Sequence, residues 1–466
     1  MFKNKKGILK FVFTANIFLV IIISYHEETV ITMYIRDAVL GFIEINEKER
    51  KIIDLYEFQR LRYVKQLALT YYVYPGALHS RFEHSLGVME LASRIFDRLC
   101  VKRKKILRCN FLQIGLSIKE AKQILRLSAL LHDVGHLPFS HVGEEVLPEG
   151  VKHEHVTIEI IKYLKPILDK TFFEGITEVI INILSKEEIV KNLTILKRII
   201  SGSLDADRMD YLLRDSIYCG VEYGRYDWQR IIDCLDIIES ESGGYDLCIE
   251  HGGIHALESM ILARFYMFAQ VYCHKTRKIY DYYLSHVMRE WYNLFVKNLI
   301  DITRYNDISV LNFIENTVRE GNNHLYEFAH RIKFRKQHSV IFETSDFCDL
   351  PQLINAKKVF DTLQEEFSDY EFILRETRGK IHNFLVRESQ KRENVGEKFY
   401  VLRNNRPYIL TDESLIIRNI PKNFLNTRIY VAYKDKKYER MKESEIRKLI
   451  KKAEEIRRSF DNGKKI

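Results

Sequence analysis

Residues 130–141 read LLHDVGHLPFSH. The stretch closes a long apolar run and carries three imidazoles and a carboxylate side by side, a density of titratable groups that a protein core holds only with a compensating partner. His132 and Asp133 are adjacent, and neighbours in sequence converge on one ion only where a helix is stopping. The preceding SIKEAKQILRLSALLHD, 117–133, has the period of an amphipathic helix, with Gly135 and Pro138 as its terminators. Working outward, a second helix is predicted over 84–99, opening near Glu83 and His84. Others are predicted near 154–168, 172–184, 187–200, 205–217 and 227–239, with a long pair from 253 to 300.

Composition agrees with a mainly α chain. Hydrophobic residues make up 46% of the 466 and prolines number only seven, which excludes a disordered or small disulfide-stapled protein. Lys and Arg outnumber Asp and Glu by 73 to 64, an excess that suits a phosphorylated ligand, an acidic surface or nucleic acid equally well. The seven cysteines form no CxxC pair, so neither a disulfide framework nor a cysteine zinc site is expected, and a cytoplasmic location fits best.

The segment 1–32 contains ILKFVFTANIFLVIIISY at 8–25, which approaches the length of a membrane span but is interrupted by Lys10 and Asn16. Three readings stand: a start assigned too early, with Met33 the true first residue, a membrane anchor, or a buried hairpin element. A membrane partner is not the expectation. From Met33, MYIRDAVLGFIEINEKERKIIDL reads as a short strand pair and then a helix. Residues 33–395 are expected to form one helical domain. From 396 to 466 the runs KFYVL, PYIL and RIYVAY, followed by a Lys/Glu-rich helix, predict a small α+β lobe.

His84, His132, Asp133 and Asp207 offer two imidazoles and two carboxylates. This set matches one divalent transition metal (Fe, Mn, Zn, Co or Ni) with open positions for water and a phosphate oxygen. Asp207, Asp210, Tyr211 and Arg214 fall on one helical face, which beside a metal reads as a substrate wall.

The order of a lone His, a His-Asp pair and a distant Asp resembles the HD superfamily of metal-dependent phosphohydrolases. FQRLRYVKQLALTYYVYPGALHSRFEHSLGV (58–88), LLHDVGHLPFSH, KHEH (152–155) and DADRMDYLLRDS (205–216) resemble its deoxynucleoside triphosphate triphosphohydrolases. The resemblance extends to VYCHK at 271–275 and, more weakly, to RIYVAY at 428–433. It implies an HD helical bundle that hydrolyses dNTP to deoxynucleoside and triphosphate, with Mg on the phosphates as a further ion. It implies that His136 touches phosphate, that His141 and His153 act as general acid or proton relay, and that Glu144 orients His153. The family usually has aspartate at that last position. Arg81, Arg208 and Arg264 are implied at the phosphates, Tyr211 at phosphate or sugar, Gln66 and Asp215 at the sugar 3′-hydroxyl, and Leu67 and Tyr272 against the carbon that excludes a 2′-hydroxyl.

Asp54, Gln59, Arg60 and Arg62 match a segment that binds an activating guanine nucleotide, GTP or dGTP, between subunits. That implies a homo-oligomer, dimer or tetramer, although Met33 and Arg36 replace a lysine and an asparagine of the same site. Two other readings stay open. One keeps the HD site but takes a nucleoside monophosphate, cyclic nucleotide or alarmone. The other is a non-catalytic nucleic-acid-binding protein; nucleic acid is not required by any motif.

Overall fold

Asp37 turns the chain at a hairpin corner: its Oδ1 accepts the N–H groups of Val39 and Leu40 at 2.9 and 2.8 Å. Gly41, at φ +84°, then starts the return strand. The antiparallel pair is β1 (Met33–Asp37) and β2 (Gly41–Ile45). The computed structural model describes residues 33–185, 189–241, 243–321, 324–385, 397–436 and 438–462. The apolar stretch 8–25 and its three readings lie outside the described residues, as does Gly396. Among the described residues no helix is long and apolar enough to cross a membrane.

After α1 (Glu47–Ile53), two helices form the centre of the molecule: α2 (Arg81–Leu112) and α3 (Ile118–Leu131), packed side by side. Each opens on a reciprocal cap, Ser80 with Glu83 and Ser117 with Glu120, so that orphan N–H groups are satisfied before the apolar run begins. They bury Leu91, Ile95 and Leu99 from one and Ile124, Leu127 and Leu131 from the other. Helix α2 runs past the expected end at residue 99, bending at Arg103, because a charged continuation is still helical when its inner face keeps Leu107 and Phe111 buried.

Helix α3 stops one residue before His132, but Gly135 is not in the left-handed region. Its role is close approach. A Cβ there would collide with the backbone N of Thr157 and O of His153 in α4 (His153–Tyr163), and the Gly135 N–H donates to Thr157 Oγ1 at 3.0 Å. Next come α5 (Ala206–Cys219), α6 (Ile254–Met267) and α7 (Lys275–Phe295). A π-helical turn, Phe268–Tyr272, interrupts the last pair and carries Tyr272.

The strands correct the reading in two places. Residues 235–239, expected to be the end of a helix, are β3 (Leu235–Glu239), paired with β4 (Tyr245–Glu250). The reason is local: Gly243 and Gly244 take positive φ between two β-branched runs, a hairpin signal that outweighs the helical spacing of IIDCLDII.

The second correction concerns the division at 395/396. After α8 (Asp307–Glu320), the chain forms β5 (Ser339–Glu343), α9 (Leu350–Glu366) and β6 (Tyr370–Lys380). It continues with β7 (Tyr400–Arg403), β8 (Arg406–Ile409), β9 (Asn423–Tyr433) and α10 (Glu443–Asn462). The sheets run β3-β4-β7-β8 and β5-β9-β6. A second core of Ile341, Val359, Leu363, Phe372, Ile429, Val431 and Leu449 therefore begins near residue 339, while β7 and β8 pair back onto the helical domain through the parallel contact of β7 with β4.

Replacing Gly135 with alanine is expected to cost about 1–3 kcal/mol through overpacking against backbone that has no rotamer to yield. The measurement is a lower midpoint in denaturant unfolding with unchanged slope.

Candidate active site

The end of α3, the first turn of α5 and the start of α2 meet beneath the π-helical turn. His84 Nε2 lies 3.1 Å from Asp207 Oδ1 and 3.5 Å from Asp133 Oδ2, and His132 Nε2 lies 3.4 Å from Asp133 Oδ1 and 3.8 Å from Asp207 Oδ1. Both Nε2 atoms are buried and make no hydrogen bond among the described residues.

The opposite ring nitrogens are engaged. His84 Nδ1 pairs with Asp210 Oδ2 at 2.8 Å, and His132 Nδ1 with the Ala129 carbonyl at 2.7 Å. An imidazole that donates through Nδ1 presents its Nε2 lone pair, so both rings are set as ligands. Asp207 is held well below the usual carboxylate range: burial works against ionisation, but the close approach of the His132 and His84 imidazoles outweighs it. Ligand atoms of His84, His132 and Asp207 lie within 4.8 Å of one another, a group that can hold a divalent metal, with Asp133 alongside.

Behind the ligands runs a chain of buried charges. Asp210 takes Arg214 Nε and Nη2 at 2.8 Å each, and Arg214 Nη1 reaches Asp37 Oδ2 at 2.8 Å. Asp210 and Arg214 therefore face inward as support for His84. Of the face expected from 207, 210, 211 and 214, Asp210 and Arg214 are turned into this buried network. The signal was available as the Asp210/Arg214 spacing of four.

Beside the ligand group, His136 and His153 stack at 3.9 Å between centroids. Glu144 Oε1 bonds His141 Nδ1 at 2.7 Å and lies 3.0 Å from His153 Nδ1, so the longer glutamate still reaches both rings. The stacked pair is polarised in opposite senses. Burial, Arg81 and the His153 charge push His136 well below its ordinary value. Burial also disfavours charge on His153, but the close approach of Glu144 outweighs it and raises that group. His141 is different in kind, with its side chain 65% exposed.

Around these groups, Asp215 receives Tyr272 OH at 2.6 Å and His79 Nε2 at 2.7 Å. His79, which sequence reasoning passed over, is buried and stacked on Tyr218. Gln66 is buried with its Oε1 unpaired among the described residues, and Leu67 is part of the core. Arg264 bonds Tyr211 OH and, at 2.8 Å, the Lys380 carbonyl. Arg81 is paired with Asp133 and with Ser140 Oγ at 3.0 Å, while Arg208 is held by Asp205 at 3.0 Å and by the Gly202 carbonyl.

The activator set divides. Asp54 is exposed beside Arg50, and Gln59 Oε1 accepts from Arg62 Nε at 2.8 Å near the surface. Arg60 does not join them. It is buried and donates through Nη2 to the carbonyls of Val134 and His136 at 2.6 and 2.9 Å, which leaves its guanidinium turned into the domain and away from any phosphate outside.

Asp210→Asn is expected to weaken metal binding about 10–100-fold, since it removes the charge that orients His84. Chelator competition measures this, with circular dichroism as the fold control.

Residues 81–215 match the HD domain and residues 226–454 match the HD associated region. The uncharacterized protein MJ1154 of Methanocaldococcus jannaschii is 40% identical over 299 residues, 63% of this chain and 56% of that protein. The deoxynucleoside triphosphate triphosphohydrolase SAMHD1 homolog of Dictyostelium discoideum is 31% identical over 269 residues, 55% of this chain and 49% of its own. The chain thus spans about half the length of the curated relatives it matches. A hypothetical protein from Aquifex aeolicus, known by crystal structure, superposes with a TM-score of 0.70 at 29% identity, covering 91% of this chain and 99% of that one. All four candidate ligands lie within the stretch matched to the HD domain, and the associated region follows almost directly; the chain belongs to the HD-domain family.

Proposed function

We propose that this chain hydrolyses deoxynucleoside triphosphates to deoxynucleoside and triphosphate. The observation that carries the reading is the pair of buried, unpartnered imidazole nitrogens on His84 and His132, facing the carboxylates of Asp133 and Asp207. Similarity to the Dictyostelium enzyme supports the choice of substrate.

A divalent transition metal held by His84, His132, Asp133 and Asp207 would supply Lewis-acid charge at the α-phosphate and lower the pKa of water there. The chain's own residues do the rest. Water oxygen bonds to the α-phosphorus as the bond to O5′ breaks, and His153, whose proton affinity Glu144 raises, delivers the proton to the departing oxygen. His136 stays neutral beside it and can accept or relay a proton. Arg81, Arg264, Arg208 and Tyr211 meet the phosphates, joined by Mg. Arg81 and Arg208 exchange their present carboxylate partners for phosphate oxygens. Gln66 and the Asp215–Tyr272 pair take the 3′-hydroxyl, and Leu67 and Tyr272 leave no room for a 2′-hydroxyl.

Asp54, Gln59 and Arg62 are the residues that an activating guanine nucleotide would meet in an oligomer. A second reading, hydrolysis of a different nucleotide, is favoured by one feature. Ligand atoms of Asp133, His136 and His153 lie within 4.8 Å of one another, a spacing that can hold a second ion.

The test is product analysis by anion exchange after incubating the metal-loaded protein with each dNTP, alone and with GTP. Tripolyphosphate is the expected product; monophosphate or pyrophosphate would sink the assignment. Because Glu144 raises the pKa of His153, activity should fall as pH climbs through that raised value. Glu144→Gln should move this alkaline limb to lower pH in a rate profile.

A further inference from the structure

Phe139 and Ser140 are non-glycine residues in the left-handed region, at φ +59° and +55°. Two consecutive residues keep that conformation only where the surroundings impose it. Their turn joins His136 to His141, and the groups that hold it come from elsewhere. Asp307 Oδ1 accepts the Phe139 N–H at 2.7 Å, and its Oδ2 accepts the Lys65 N–H at 2.9 Å. The Lys65 carbonyl in turn accepts Ser140 Oγ at 2.6 Å. At the other end of the turn, Arg60 spans the Val134 and His136 carbonyls. Asp307 and Arg60 are each 2% exposed.

Asp307 lies in the associated region, outside the HD domain. It is not needed to cap its own helix, because Asn306 already accepts the Ile308 N–H at 3.0 Å. Burial pushes its carboxyl up to about 6, against the pull of the two N–H donors, so it is ionised at neutral pH and both oxygens accept.

We propose that Asp307 is a positioning residue for hydrolysis: with Arg60 it clamps the 134–140 turn from both ends, and so the HD-associated region sets where His136, Ser140 and, through Ser140, Arg81 stand. This rests on the hydrolytic reading for its rate measurement only. The clamp also gives Arg60 a job inside the domain while its neighbours Gln59 and Arg62 face outward, so displacement of 59–62 is transmitted to the turn.

The experiment compares metal-loaded wild type with Asp307→Ala, Asp307→Asn, Arg60→Lys and the double variant Arg60→Lys/Asp307→Ala. Asp307→Ala should lower kcat about 10–100-fold, the scale of a small misplacement of reacting groups, with KM and metal content unchanged. Asp307→Asn keeps one acceptor oxygen and should recover part of the rate. The double variant should lose less than the product of the single losses, since both residues act on one turn. Amide hydrogen exchange should rise in peptides covering 134–142 and stay level in 206–219.

An unchanged kcat, or exchange raised equally everywhere with alanine and asparagine equally slow, would overturn the proposal. Exchange and metal content are read without turnover. A wild type inert toward every dNTP would thus refute the substrate reading while exchange still decides the clamp. If the alanine variant fails to fold, asparagine against Arg60→Lys decides it.

Discussion

The fold is organised around a buried line of hydrogen-bonded side chains running Asp37, Arg214, Asp210, His84. Each link is a hydrogen bond of 2.8 Å, and the line ties the first hairpin to α5 and α5 to α2. Such a line is stable only when complete, because removing any one member strands a buried charge at a cost of about 3–5 kcal/mol. Its geometric effect matters more than its energy. Three elements distant in sequence are brought to one register, and the imidazole at the end is locked in the tautomer a metal requires. Gly87 is part of the same arrangement: a side chain there would collide with Asp210 and Arg214.

The site also shows how one fold sets neighbouring imidazoles to different tasks. His136 and His153 are stacked, yet their proton affinities are pushed apart: burial and Arg81 lower the first, and Glu144, 3.0 Å away, raises the second. Separating two pKa values across a stacked pair is how acid and base roles are kept apart within one pocket. The glutamate does this with a reach that serves His141 as well, so the exchange of a shorter carboxylate for a longer one leaves the contacts in place.

Most of the ligand group was legible because its chemistry is local: His132 and Asp133 are adjacent at a helix end, and the flanking blocks are distinctive enough to resemble a known family. The mainly helical class was legible from period and caps. What could not be read were contacts between segments far apart. Arg60 looks like a surface residue in QRLRY, and only the fold reveals that it turns inward to the backbone of 134–136. His79 and Asp307 carry no motif, and their partners lie 136 and 168 residues away. The strands at 235–239 and 339–343 were hidden because short apolar runs satisfy both periods, and pairing decides between them.

The parallel register of β4 with β7 sets Cys248 opposite Tyr400 and Glu250 opposite Leu402. A ribosome that has made β3 and β4 has therefore not yet made the strand that pairs with the other edge of β4. Until roughly 150 further residues emerge, β4 presents an open edge, and closing so long a loop is slow. During synthesis this edge is the point at which the nascent chain is most open to mispairing with a neighbour, and a chaperone that shields extended backbone would act there.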